Sequence, residues 1–313
     1  MPAAMAAWLP AVAVVVLSVD HLPEPLGLET TAPHFSWKAR QASTAAAPRG
    51  IEQTHYRLQI AETEATAAAG PYVWDSGSVA SNSSSAEYTG SAALLAPDRP
   101  FFARVLVSYG SHEHEESSPV PVASASARFS VSHRRDTAQF IGLSSSTPPP
   151  APTPPPTPGP GPAAPLPFNQ SSCPWLRKRF SVSKDFDPSA GDSALIAVGS
   201  VGFHELWING KKATDDVLSP SISNLAKRVL VRTYDVAPLL LAGKENVVGL
   251  WLSTGWAGFN SVNPAKTNMF NVSHAPLAMA ELTITYSHAK TPPLKLRTDG
   301  TWKASPSDTA HLG

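Results

Sequence analysis

A chain of 313 residues, 42% of them hydrophobic, is long enough for about two domains of ordinary size, each with its own core. Basic and acidic residues both number 24, so the formal net charge is zero and the chain lacks the basic excess expected of a nucleic-acid-binding protein. The single cysteine, Cys173, cannot form an internal disulfide and therefore gives no information about the redox compartment.

Residues 1–18 contain the apolar run Ala6–Leu17. Its length suits the core of a signal peptide and is too short to span a membrane. No lysine or arginine precedes the run, so a second interpretation stays open, in which Val14–Val19 forms the first strand of the first domain. Secretion would make three Asn-x-Ser glycosylation sequons usable, at Asn82, Asn169 and Asn271. A secreted and a cytoplasmic location therefore both remain open.

Residues 19–137 show short β-rich runs separated by Gly, Pro and Ser turns. The clearest run surrounds Leu58, where apolar residues at every second position alternate with Arg57 and Gln59. A period of two is typical of a half-buried strand. The pattern predicts an antiparallel β-sandwich of roughly a hundred residues.

The segment Thr147–Pro167 is composed almost entirely of Pro, Ala, Thr and Gly. Such a segment cannot bury a core and favours the extended polyproline II conformation, so it predicts a linker that acts as a semi-stiff spacer. A ligand for the aromatic groove of a partner is the alternative. The absence of basic residues beside the prolines favours the spacer.

Residues 138–313, which the linker interrupts, predict a second antiparallel sandwich. Alternate residues of Phe203–Ile208 form two distinct faces, and Asn209-Gly210 follows at once as a type I′ hairpin turn, because both residues tolerate positive φ. Val229–Val236 is a further β-rich run. A short helical turn then leads into the predicted strand Val247–Ser253.

Several short motifs resemble a known enzyme family, glycoside hydrolase family 78. They are Pro25–Trp37 and Trp74–Gly77 in the first domain, and Leu206–Lys211, Asp216–Pro220, Arg232–Val236 and Gly255-Trp256 in the second. These motifs resemble the N-terminal region of bacterial-type α-L-rhamnosidases. The resemblance implies an all-β chain with two antiparallel β-sandwiches, first fibronectin-III/Ig-like and then a galactose-binding-like jelly roll, joined by the Pro-rich linker.

In that family the two catalytic carboxylic residues lie in an (α/α)6 barrel that follows these domains. The 313 residues leave no span for such a barrel, so no catalytic residue is carried over and we expect the chain alone to be inactive. The resemblance implies the non-catalytic N-terminal part of an enzyme that hydrolyses terminal α-L-rhamnose from glycosides and polysaccharides, with the barrel downstream as its partner. The alternative is a stand-alone carbohydrate-binding or adhesion protein without hydrolase activity.

Carbohydrate binding is the chemistry that remains for the second domain. A sugar site needs an aromatic face together with amides or carboxylates, and bound calcium can bridge sugar hydroxyls. Because the connection Lys211–Pro220 is expected to leave the sheet as an exposed loop, its two carboxylates are candidate calcium ligands. The candidate carbohydrate-binding residues are Asn209, Asn224 and Trp256, and the candidate metal ligands are Asp215 and Asp216.

Each of these residues also has a structural interpretation, as a turn former, a solvated loop acid or a packing side chain. After Pro220 the family has two aromatic residues and an acid, which this chain replaces within Ser221–Leu225. Stacking surface is thereby lost, so we expect rhamnose-containing glycans to bind only weakly, with a dissociation constant of about 1 mM or higher.

Overall fold

A computed structural model of the chain describes residues 12–41, 51–111, 123–132, 138–143, 173–225, 227–258, 276–287 and 291–306. The predicted linker Thr147–Pro167, residues 1–11 and the sequons at Asn169 and Asn271 lie outside these ranges. The chain divides into two compact units, Met1–Arg134 and Arg135–Gly313, and both consist mainly of antiparallel strands. The chain is therefore all-β, as predicted. Within the ranges given above, no helix is long and apolar enough to cross a membrane.

The first unit consists of β-strands and one short helix. In chain order these are β1 (Val12–Val19), β2 (His34–Gln41), β3 (Ile51–Ala61), α1 (Glu64–Ala69), β4 (Trp74–Asp75), β5 (Val79–Ala80), β6 (Ser85–Glu87), β7 (Pro100–Ser111) and β8 (Ala123–Ser130). They form one sheet of order β1-β2-β6 and another of order β4-β3-β7-β8, in which β5 also pairs with β3.

The core of the first unit is aromatic and aliphatic. Phe35, Leu58, Phe101 and Phe129 are fully buried, and the rings of Phe35 and Phe129 meet edge to face with their centroids 5.6 Å apart. The N-terminal run enters this core as a strand, because β1 pairs with β2 from Val12 to Val19 and buries Leu17. The described part of the run, Val12–Val19, is thus a strand of the first unit, as the second interpretation expects.

The second unit has two sheets that enclose one core. Its strands are β9 (Trp175–Ser181), β10 (Ser193–Val201), β11 (Phe203–Ile208), β12 (Lys211–Lys212), β13 (Val231–Asp235), β14 (Glu245–Ser253), β15 (Leu277–Thr285), β16 (Leu294–Arg297) and β17 (Lys303–Ser305). The four-stranded sheet has the order β13-β10-β15-β16 and the five-stranded sheet β12-β11-β14-β9-β17. Leucine, isoleucine and valine side chains from both sheets, such as Leu250 and Ile196, fill the core.

The hairpin between β11 and β12 forms as predicted. Ile208 pairs with Lys211, and the two turn residues Asn209 and Gly210 have φ angles of 52° and 77°. Positive φ at both positions is what a type I′ turn requires. On the N-terminal side of the predicted linker, Ile141 forms a bridge with Ala278 and so belongs to the second unit.

Asn246 ties this hairpin to the connection between β13 and β14. Its side chain is completely buried, and Oδ1 accepts hydrogen bonds from Leu241 N (2.8 Å) and Asn209 Nδ2 (2.7 Å). Its Nδ2 donates to the carbonyls of Leu241 (2.9 Å) and Lys244 (3.0 Å). Asn209 Oδ1 in turn accepts from Val247 N at 2.8 Å. Two amide side chains thus satisfy the polar backbone of two connections at once.

We expect Asn246→Ala to lower the free energy of unfolding of the second unit by about 2–4 kcal/mol, because buried backbone groups lose their partners. Denaturant titration of the full chain, followed by tryptophan fluorescence, measures this change. The matched control is Glu245→Ala, which removes an exposed ion pair with Arg179 (3.1 Å) and should cost less than about 1 kcal/mol. Equal losses for the two variants would contradict the role of Asn246.

Candidate functional site

The connection that follows the hairpin is exposed at its middle, where Val217 and Leu218 are each 70% accessible, but both of its ends are hydrogen-bonded to β11. It runs back along the edge of β11, where Ala213 N donates to Leu206 O and His204 N donates to Ser219 O, both at 2.8 Å. The backbone of β11 supplies these partners because β11 has β14 on its other side and only the two-residue β12 on this one. The connection therefore returns to the end of β11 at which Phe203 lies.

Asp216 lies in this connection and is paired. Its carboxylate accepts a hydrogen bond from Thr214 Oγ1 (2.7 Å) and forms an ion pair with the Arg232 guanidinium. The guanidinium carbon of Arg232 also lies 5.5 Å from the ring centroid of Tyr234. Asp215 is exposed beside this pair. In the part of the chain that the structure describes, no three His, Cys, Asp or Glu side chains lie together so as to hold a metal ion.

A chain of hydrogen bonds leads from Arg232 into the interior. Arg232 donates to Ser219 Oγ at 3.5 Å, and Ser219 Oγ lies 3.4 Å from Tyr234 Oη. Tyr234 Oη lies 2.9 Å from His204 Nε2, and His204 Nδ1 lies 2.8 Å from Ser200 Oγ. These residues come from β10, β11, β13 and the returning connection, so the network joins both sheets.

The direction of each hydrogen bond follows from Ser200. Its hydroxyl donates to Gly202 O at 3.0 Å, so its oxygen accepts from His204 Nδ1–H. His204 Nε2 then accepts the Tyr234 hydroxyl proton. The imidazole is neutral in this arrangement, and burial together with the charge of Arg232 lowers the pKa of His204 to about 4.

A shallow open groove lies at the same end of β11. Phe203, Pro220, Ile222, Leu225 and Ala257 are among its lining residues. The lining segment Pro220–Leu225, with two serines and several apolar side chains, thus lies beside a 3-10 turn, Gly255–Gly258. Within the described residues the lining contains hydroxyl and apolar groups and no carboxylate.

Two predicted site residues are sequence neighbours of the groove lining and are not part of its described lining. Asn224 lies between the lining residues Ser223 and Leu225, and its carbonyl accepts from the backbone of Lys227 and Arg228 at 2.9 Å. Trp256 is in the neighbouring 3-10 turn, although its side chain lies outside what the structure describes. Asp216 does not line the groove; it is paired with Arg232, which donates to Ser219, the residue before the lining residue Pro220.

Asn209 is not brought to the groove. It follows the other end of β11, and six residues of extended chain separate it from Phe203 by about 20 Å. Its amide is engaged by Asn246, by Val247 N and by Leu239 O. Sugar binding by Asn209 stays a prediction, and it would require these hydrogen bonds to be exchanged.

The sequence analysis did not select His204, Tyr234 or Arg232. The sequence did contain a signal for the first two, because the alternation of apolar residues places His204 and Tyr234 on the core-facing side of their strands. A polar side chain that is buried in a core needs a hydrogen-bond partner. The pairing itself depends on how β11 and β13 face each other across the core.

Comparison with known proteins identifies both units. Residues 14–126 match the family "Rha78A-like, N-terminal immunoglobulin domain", and residues 190–312 match the family "Alpha-L-rhamnosidase N-terminal domain". The chain corresponds to the N-terminal region of α-L-rhamnosidases. The predicted family is thereby confirmed.

Relatives of this rhamnosidase N-terminal region are much longer proteins. An α-L-rhamnosidase of Alteromonas sp. (strain LOR) is 26% identical over 285 residues, which are 90% of this chain and 27% of the relative. One from Formosa agariphila is 25% identical over 244 residues, 75% of this chain and 23% of the relative. The chain thus spans about a quarter of the length of these curated relatives.

Solved rhamnosidase structures share the fold. The enzyme from Dictyoglumus thermophilum aligns with a TM-score of 0.67 at 23% identity, and that from Aspergillus terreus with 0.68 at 20%. The alignments cover 94% and 95% of this chain but 30% of each structure. Both agree with the all-β architecture of the rhamnosidase N-terminal region.

The buried His204 predicts a pH dependence of stability. The folded state holds the imidazole neutral with a pKa of about 4, whereas the unfolded chain has the ordinary value of 6.5. Protonation therefore favours the unfolded state, and the stabilisation is complete above pH 6.5 and is lost as the pH falls towards 4. The loss attributable to this group is about 3 kcal/mol.

Denaturant titrations from pH 7 to pH 4 measure this dependence. We expect His204→Gln to be less stable at pH 7 and to lose less stability on acidification than the unsubstituted chain. His21→Gln, an exposed histidine of the first unit, is the control and should leave the pH dependence of the second unit unchanged. An identical pH slope with and without His204 would refute the assignment.

Proposed function

We propose that this chain is the non-catalytic N-terminal part of an α-L-rhamnosidase, and that its second unit holds rhamnose-containing glycans for a catalytic barrel downstream. The observation that carries the proposal is the pair of consecutive domain matches, residues 14–126 and 190–312, to domains named for the N-terminal end of these enzymes. The relatives are named α-L-rhamnosidases, and most of their length lies beyond the part that matches this chain.

The groove supports a binding role rather than a catalytic one. An inverting glycosidase needs an acid and a base on two carboxyl groups about 6.5–9.5 Å apart. The described lining of the groove supplies serine hydroxyls and apolar side chains instead. Hydroxyls and apolar surface can hold a sugar, but they cannot protonate a glycosidic oxygen and activate water.

Within this function we propose Asn224 and Trp256 as contacts to the sugar at the groove. Asp215 and Asp216 are the proposed calcium ligands. Arg232 already neutralises Asp216, so a calcium ion would have to displace the guanidinium or bind through Asp215 and water. Calcium affinity should therefore be low, and sugar affinity should depend only modestly on calcium.

The first test concerns catalysis. We expect the purified chain to release no p-nitrophenol from p-nitrophenyl α-L-rhamnoside above the rate of the buffer, with an active α-L-rhamnosidase as the positive control. The reason is the lack of a catalytic carboxylate pair in the groove. Turnover that disappears when a single acidic residue of this chain is substituted would contradict the non-catalytic role.

The second test concerns binding. L-Rhamnose is titrated into the full chain and followed by NMR, first with calcium and then with a chelator. We expect a dissociation constant of about 1 mM or higher, weakened by Asn224→Ala and by Asp216→Ala. Asp185→Ala, an exposed aspartate elsewhere in the second unit, is the matched control. Binding that none of the groove variants changes would overturn the placement.

A further inference from the structure

Three tryptophans lie on the outer face of the five-stranded sheet of the second unit. They are Trp175 on β9, Trp207 on β11 and Trp251 on β14, and we call them the tryptophan face. The next residue in each strand points the other way and is buried in the core: Leu176, Ile208 and Leu252. Each indole remains partly exposed. Sheet faces that look away from the core are usually polar, so this aromatic surface needs an explanation.

The rings form one continuous surface. The indoles of Trp175 and Trp251 are parallel within 2° with centroids 5.5 Å apart, and Trp175 meets Trp207 at 64° and 5.8 Å. Gly249 lies beneath these rings: a Cβ there would meet the Trp175 ring at 3.6 Å and Trp207 Cβ at 3.7 Å, both ordinary van der Waals contacts. The ring of Trp175 therefore spreads over a strand position that has no side chain.

Both hydrogen-bond donors and hydrogen-bond acceptors border the rings. The strand register places Arg177 opposite Gly249 on one side, and Glu205 opposite Trp251 on the other. Arg177 is exposed, while Glu205 accepts a 2.7 Å hydrogen bond from Lys212 Nζ. The face thus combines an aromatic centre with a donor on one edge and an acceptor–donor pair on the other.

One donor of the cluster has no partner. Trp207 Nε1 is buried and makes no hydrogen bond to any described residue, whereas Trp251 Nε1 donates to Cys173 O at 3.2 Å. A buried N–H without a partner is uncommon in folded proteins.

The face continues towards the groove. Phe203 lines the groove and lies on the same side of β11 as Glu205 and Trp207, because side chains alternate along a strand. Phe203 pairs with Ser253 of β14, two residues beyond Trp251. A ligand longer than a single sugar ring can therefore extend from the groove over the tryptophans.

We propose that the tryptophan face binds the continuation of a rhamnose-containing oligosaccharide, with pyranose rings stacked on Trp175 and Trp251. A pyranose presents C–H groups on its faces and hydroxyls, which both donate and accept, around its rim. Arg177 and Lys212 match the acceptors and Glu205 matches a donor. A proline-rich peptide would stack on the same rings, but its tertiary amides offer carbonyl acceptors only and leave Glu205 without a match.

The proposal rests on the proposed function only for the class of ligand. The experiment titrates the full chain with L-rhamnose and with an α-linked rhamnose tetrasaccharide, followed by tryptophan fluorescence and by NMR. We expect the tetrasaccharide to bind at least tenfold more tightly than L-rhamnose. Trp175→Ala should weaken the tetrasaccharide about tenfold and leave L-rhamnose unchanged.

A second variant keeps the aromatic rings in place. Trp175 covers the backbone of Gly249, so its truncation also lowers stability, whereas Arg177→Ala leaves the packing intact and should weaken the tetrasaccharide about threefold. Arg179→Ala is the matched control on the same strand. Arg179 lies two residues beyond Arg177 on β9 and forms an ion pair with Glu245. Its substitution should not change the affinity for the tetrasaccharide.

The remaining outcomes distinguish binding at the tryptophan face from binding at the groove. Equal affinity for the two sugars, with no effect of Trp175→Ala or Arg177→Ala, overturns the inference and leaves binding at the groove intact. Tetrasaccharide binding that only the Trp175 and Arg177 variants weaken supports the inference and overturns the groove. A proline-rich peptide that binds more tightly than the tetrasaccharide, or a dimer that Trp175→Ala disrupts, overturns the inference.

Discussion

The hydrogen bond between His204 and Tyr234 crosses the core of the second unit, from β11 in one sheet to β13 in the other. Because the imidazole is buried, its neutral form is favoured and each ring nitrogen needs a partner. Ser200 accepts from Nδ1–H, the Tyr234 hydroxyl contacts Ser219 Oγ, and Arg232 donates in turn to Ser219. The returning connection that ends at Pro220, and with it one wall of the groove, is thereby anchored to the interior.

The pleat of β11 gives this one strand two functions. On the core side it contributes His204 and two aliphatic residues, and on the outer side Phe203, Glu205 and Trp207. The same alternation in β9 and β14 places Trp175 and Trp251 on the outer side. Core packing and surface chemistry are thus set by one register, and a slip of one residue would exchange them.

The N-terminal position of these domains in α-L-rhamnosidases is consistent with the proposed binding role and with the absence of a catalytic role. The two units match the domains at the N-terminal end of α-L-rhamnosidases, and the groove carries hydroxyl and apolar groups among its described residues. The tryptophan face lies beside it.

The sequence by itself determined local features. The alternation within Phe203–Ile208, the Asn209-Gly210 turn and the family motifs predicted the strand, the hairpin and the rhamnosidase domains that the structure and the comparisons confirm. The tertiary structure alone decided that Lys211–Pro220 returns along β11, that Asn209 lies about 20 Å from the groove, and that three distant tryptophans meet. Alternation reveals the face on which a side chain lies, but the order β12-β11-β14-β9-β17 arises from pairing between strands far apart in the chain, which no local pattern encodes.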